Sequence, residues 1–207
     1  MIHDQHLVDR LSVLPTEHFD GEVFRATRVD ADPTAASING GRWAPPPRSD
    51  AGVSVLYTSL ERDGAMAEVV SFLAGFTPVP GPRPVKVTRL AVTTARTLRL
   101  VRANLDALGV DFARYGERDY DRTQEIGAAL AFLGLDGLIA PSARWACENL
   151  MIFSENHALS DRLDPLNSEE IEWQGWALAR GFIQPDHQPD ELGSRIVQLR
   201  PRRGDRQ

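Results

Sequence analysis

An α+β fold is the expectation for this 207-residue chain. Three features carry it. Strand-like and helix-like segments are interspersed without the steady β-α-β alternation of a parallel sheet. The composition, 42% hydrophobic and 25% charged, is that of an ordinary folded domain. The length suits one domain with a terminal appendage, large enough to bury a core without disulfides or a structural metal.

The elements follow in chain order. Residues 1–18 are polar apart from the stretch Leu7 to Leu14, which ends at Pro15, and read as an N-terminal arm or short helix. Glu22 to Thr27 alternates as a strand does. Residues 28–52 are rich in Asp, Pro, Gly and Ser and read as a long loop. It holds Asn39-Gly40-Gly41-Arg42-Trp43 and then Pro45, Pro46 and Pro47. Val53 to Thr58 is a strand of β-branched and apolar residues. The spacing of Met66, Val69, Val70 and Leu73 predicts a helix from Glu61 to Ala74 with those residues on its core face. Glu68 points away from that stripe, with Phe72 one turn further on its side, as in a cleft wall. Val85 to Val92 and Arg96 to Val101 read as two strands, and Asn104 to Leu108 as a short helix ended by Gly109. A longer helix is expected from Asp121 to Leu133, stopped by Gly134. Two buried strands follow, Asp136 to Pro141 and Glu148 to Phe153. A last helix, Ser168 to Arg180, is expected with Asn167 or Ser168 as its cap and acids in its first turn. The end, Arg200 to Gln207, reads as disordered.

Several function classes drop out. Cys147 is the single cysteine, which excludes a disulfide framework and a multi-cysteine zinc site. Paired with His157 it would make a thiol–imidazole couple, but a lone cysteine beside Trp145 is more often a small buried hydrophobe. His3 and His6 lack a carboxylate framework, so no metal is expected. Walker, dinucleotide-fingerprint and nucleophile-elbow motifs are absent. No apolar run approaches a membrane span, and the N-terminus lacks the pattern of a secretory signal, so a cytoplasmic protein is expected. With 23 basic and 29 acidic residues the formal charge is −6, which argues against direct nucleic-acid binding. Lys86 is the only lysine, so any anion site is built from arginine, whose planar fork grips phosphate.

Four segments place a polar residue among sheltering neighbours: Phe24-Arg25-Ala26, Gly40-Gly41-Arg42-Trp43, Leu56-Tyr57-Thr58 with Ala65-Met66-Ala67-Glu68, and Ala140-Pro141-Ser142-Ala143-Arg144. In order and spacing these resemble the RES domain, the toxin half of RES–Xre toxin–antitoxin pairs. Arg25, Glu68 and Ser142 match the arginine, glutamate and serine that name the family. Tyr57, Thr123-Gln124, Asp136-Gly137 and Asn149-Leu150 also fall where the family has them. The resemblance covers residues 19–157, leaving 158–207 as a C-terminal helix and tail packed on the domain with a disordered end.

The resemblance implies an ADP-ribosyltransferase-like mixed sheet with flanking short helices. It also implies an enzyme that degrades NAD as substrate, breaking the nicotinamide–ribose bond with water or inorganic phosphate as acceptor and holding no bound cofactor. Transfer of ADP-ribose to a protein is the alternative activity, and a non-catalytic binding module the alternative class. The implied partner is a small helical Xre-like antitoxin that covers the site and supplies any DNA contact; a homo-oligomer within that complex is compatible with it.

The chemistry assigns the roles. Cleaving an N-glycosidic bond creates an oxocarbenium-like ribose, which a carboxylate steadies; that is the expected part of Glu68. Arg25 and Arg42 are expected to hold the pyrophosphate, with Gly40 and Gly41 letting backbone amides come close. Tyr57 is expected to stack on the nicotinamide or ribose, and Ser142 to donate to one of them. Gln124 is the remaining candidate for binding NAD.

Overall fold

The computed structural model describes residues 4–46 and 52–184. The end expected to be disordered, 200–207, lies outside them, as do His3 and Pro47.

The fold is α+β. Residues near the N-terminus form helix α1 (Gln5–Ser12), capped by the Asp4 carboxylate, which accepts from the His6 N–H. Its buried face is Leu7, Val8 and Leu11. Strand β1 (Thr16–Thr27) starts well before the expected Glu22, because it pairs along most of its length with β3 (Pro84–Arg99). β3 runs unbroken through the gap expected between Val92 and Arg96. Thr93 and Thr94 pair there with Asp20 and Phe19. Just beyond them the buried Asp136 carboxylate accepts from the Ala95 and Arg96 N–H groups at 2.6 and 2.8 Å. Those two amides thereby keep partners where the strand is least regular.

β2 (Val55–Ser59), β4 (Gly137–Pro141) and β5 (Glu148–Phe153) lie close to expectation. β5 pairs antiparallel with both β2 and β4, β4 runs parallel to the end of β3, and β2 meets β1 at Phe24–Ser59. The ladder β1-β2-β5-β4-β3 therefore returns to β1. Each of its strands sends apolar side chains into one interior: Val23, Leu56, Leu90, Val92, Ile139, Leu150 and Ile152.

Helices cover two outer faces. α2 (Arg62–Leu73) and α5 (Trp173–Ala179) pack Met66, Val70, Leu73, Trp173 and Ala177 against Val85 and Val87 of β3. α1, α3 (Arg102–Ala107) and α4 (Asp121–Phe132) cover the other side, where Leu105, Ile126 and Leu130 meet Leu138, Met151 and Phe153. A 3-10 turn, Phe112–Arg114, leads towards α4.

The C-terminal expectation needs correction. Residues 163–172 form β6 (Leu163–Glu172), an outer strand on β3, and the helix begins only at Trp173. Asn167 and Ser168 cap nothing; they pair with Arg89 and Thr88. The true cap is Glu172, whose carboxylate accepts from the Gln174 and Gly175 N–H groups. The stretch Ser168-Glu169-Glu170 has no apolar face to bury as a helix. As a strand it satisfies the exposed backbone groups of β3 and lets Glu169 pair with Arg62.

Candidate active site

A cavity of about 580 Å³ opens between α2, β2, β5 and the loops before β2 and α4. Glu68 of α2 lines it. Three of the residues around Glu68, namely Ala65, Met66 and Ala67, are buried, so its backbone is fixed by the core while its carboxylate faces the opening. Glu68 Oε1 accepts two hydrogen bonds, from Ser142 Oγ at 2.8 Å and from Asn149 Nδ2 at 2.8 Å. Among the described residues no donor reaches Oε2. The carboxylate is thus clamped through one oxygen and free at the other.

Ser142 sits where β4 ends. Its Oγ also accepts from the Arg144 and Trp145 N–H groups at 3.1 and 3.2 Å. One proton given and two lone pairs filled exhaust a serine hydroxyl. Ser142 therefore orients Glu68 and shapes the following turn, and has no donor left for the nicotinamide or ribose contact expected of it. Asn149, on β5 two residues before the cavity-lining Met151, is the second brace.

Tyr57 lines the cavity with its ring, and its hydroxyl oxygen accepts from the Trp43 N–H at 3.3 Å. Burial pushes its pKa far above the ordinary tyrosine value, so the phenol stays neutral. The Gly40-Gly41-Arg42-Trp43 loop is tied down at several points. Trp43 is 2% exposed. A side chain at Gly41 would meet the Tyr57 hydroxyl at 2.5 Å, and one at Gly127 would meet the Trp43 carbonyl at 1.8 Å. Gly40 sits at φ +77°, which favours glycine. Gln124 does not line the cavity; its Nε2 donates to the Gly41 carbonyl at 2.9 Å and braces the loop from α4.

The two arginines expected at the pyrophosphate are placed differently from each other. Arg42 lines the cavity with its guanidinium 4.6 Å from the ring centres of both Tyr115 and Tyr120, and Nη2 donates to the Glu117 carbonyl. Arg25 is on β1 next to the cavity residue Phe24 but is not itself part of the wall. Its Nη1 is buried without a partner, and burial lowers its pKa, partly offset by Asp32. Two further arginines, Arg118 and Arg144, do line the cavity. From sequence, Arg118 had no role, and Arg144 stood inside one of the four sheltered segments without one.

Cys147 and His157 are not a couple. Cys147 Sγ lies 3.3 Å from Ser59 Oγ, whereas His157 Nε2 lies 2.8 Å from the Thr93 carbonyl. Burial raises the pKa of the thiol. Among the described residues no helix is long and apolar enough to cross a membrane.

The family model described as "RES domain" matches residues 19–174, a span that includes β6 and the start of α5. No curated protein matches the chain. A solved structure, described as the crystal structure of the M.tuberculosis MbcT-MbcA toxin-antitoxin complex, is similar with a TM-score of 0.71 at 20% identity. The similarity covers 86% of this chain and 98% of that one.

Proposed function

The chain belongs to the RES-domain family, and from that membership we propose that it is the toxin of a toxin–antitoxin pair, acting in the cytoplasm by breaking the nicotinamide–ribose bond of NAD. The observation that carries this reading is the Glu68 carboxylate, set in a cavity and clamped through one oxygen by Ser142 and Asn149.

The chemistry asks for such a group. When the N-glycosidic bond breaks, its electron pair goes to the nicotinamide nitrogen, which leaves neutral, and positive charge develops on the ribose. Glu68 Oε2, without a donor among the described residues, is the acceptor for a ribose hydroxyl and the counter-charge for that cation. A carboxylate already fixed by two donors does not have to reorganise as the charge appears. The acceptor, water or inorganic phosphate, adds at the anomeric carbon and loses a proton. Arg25, behind Phe24, adds positive charge near one wall, and the Tyr57 ring gives the leaving group an apolar face. An antitoxin seated on the cavity mouth, where Phe72 is 53% exposed, would shut the enzyme by denying entry to NAD.

The test is to incubate the purified protein with NAD, with and without phosphate, and identify the products by mass spectrometry. Free ADP-ribose is expected from hydrolysis and its 1″-phosphate from phosphorolysis. Intact NAD under both conditions would overturn the reading, and a mass-shifted protein would reassign the acceptor.

A further inference from the structure

The cavity arginines form a group of their own. Arg144 Nη1 donates to the Gly116 carbonyl at 2.6 Å, Arg42 Nη2 donates to the Glu117 carbonyl at 3.2 Å, and Arg118 is the next residue. Two guanidiniums are thus anchored on adjacent carbonyls, and that of Arg118 reaches the Ser71 carbonyl and the Phe72 ring, both also part of the cavity wall. Among the described residues none of the three has a carboxylate within ion-pair distance. Elsewhere arginines do find acids: Arg62 meets Glu169, and Arg99 meets Glu17 and Glu148.

The acids nearest in sequence are diverted. Glu117 and Asp119 flank Arg118, yet both turn to Arg114, at 2.6 and 3.7 Å. An exposed arginine thus occupies the carboxylates that would otherwise neutralise the cavity. Against three guanidiniums the cavity wall holds one carboxylate, Glu68. A chain of net charge −6 has built a locally cationic pocket.

Resting on the NAD reading above, we propose that Arg118 and Arg144, with Arg42 fixed between its tyrosines, are the cradle for a phosphoanhydride dianion, the diphosphate of a dinucleotide. Arg144 uses one nitrogen on the backbone and keeps the rest of its fork, and Arg118 donates one nitrogen to the Ser71 carbonyl at 3.4 Å with its guanidinium 5.6 Å from the Phe72 ring centre. These two keep donors for the ligand. Arg114 is a positioning residue that keeps the cradle unneutralised.

The test is calorimetric titration of the full chain with ADP and, separately, nicotinamide riboside, which carries no phosphate. Arg118→Ala and Arg144→Ala are each expected to weaken ADP by about tenfold, the scale of one charge-assisted hydrogen bond, and to leave nicotinamide riboside unchanged. Arg114→Gln, which touches no ligand, is expected to weaken ADP by about threefold as Glu117 and Asp119 swing to the cradle. Arg102→Gln, an exposed arginine paired with Asp106, is the control for loss of one positive charge and should leave ADP affinity unaltered. Thermal melts verify that all variants fold. Equal ADP affinity for wild type and the Arg118→Ala/Arg144→Ala double variant would overturn the cradle, as would a wild type that ignores ADP while consuming NAD. A wild type that binds ADP through these arginines yet leaves NAD intact keeps the cradle and removes the NAD-degrading reading.

Discussion

At the scale of single residues the structure separates groups that act from groups that hold. Glu68→Gln keeps the size of the side chain and its bond to Ser142 and removes the charge. Turnover of NAD should fall by about two orders of magnitude, the scale for losing one electrostatic catalytic group. The melting temperature should hardly move, because the side chain faces the cavity. A variant that consumes NAD at near wild-type rate would dismiss Glu68 from the mechanism. Ser142→Ala breaks the clamp and frees two turn amides, so it should lower kcat while changing KM little, since the hydroxyl is spent on protein partners. A rise in KM with kcat unchanged would return Ser142 to the substrate. Cys147 gives a pH test. Burial raises its pKa, so at any pH below that value its thiolate fraction is smaller than that of a free thiol near pKa ~8.5. Iodoacetamide should label it more slowly than free cysteine at pH 8, with the gap closing as the pH rises; equal rates at pH 8 would contradict the burial.

At the scale of elements, what the sequence could show depended on how local the cause was. Helix α2 was legible because Met66, Val70 and Leu73 repeat at helical spacing, and the same arithmetic turned Glu68 towards a cleft with Phe72. β6 was not legible. Acids after Asn167 imitate a helix start, and only the open edge of β3, some 80 residues earlier, makes them a strand, as in the Thr88–Ser168 contact. The site divided along the same line. Glu68, Tyr57, Ser142, the Gly41-Arg42-Trp43 loop, Gln124 and Asn149 stood out by pattern or family resemblance, whereas the bracing parts of Gln124 and Asn149 and the placement of Arg118 and Arg144 on the cavity wall come from partners distant in sequence. α4 also shows how tightly an element fixes the loop. Gly127→Ala would drive a methyl into the Trp43 carbonyl at 1.8 Å. Since backbone cannot yield as a side-chain tip does, a loss of about 3 kcal/mol, the upper end for overpacking, is expected in chemical denaturation. Arg62→Ala, which removes half-exposed pairs with Asp63 and Glu169, should cost less than about 1 kcal/mol.

At the scale of the whole molecule, net charge and local charge have opposite signs. Acids outnumber bases over the whole chain, whereas the cavity wall carries three arginines against one carboxylate, an arrangement that on the proposed reading attracts the substrate's diphosphate. Screening acts on that attraction, since the Debye length shortens from about 10 Å at 0.1 M salt to about 3 Å at 1 M. The KM for NAD should therefore rise with sodium chloride while the melting temperature stays within a few degrees. A KM indifferent to salt would mean that the positive cluster does not recruit the substrate.

The clamp on Glu68 has a consequence for how the protein comes into being. Its two donors lie 74 and 81 residues downstream of the carboxylate they hold. A ribosome has exposed α2 long before it has made β5, so an unfinished chain carries the reactive acid without the means to aim it. A chain cut short before Asn149 lacks one of the two donors that hold Glu68. On the proposed toxin reading, the interval before β5 emerges gives a partner already present time to meet the site as it is first assembled.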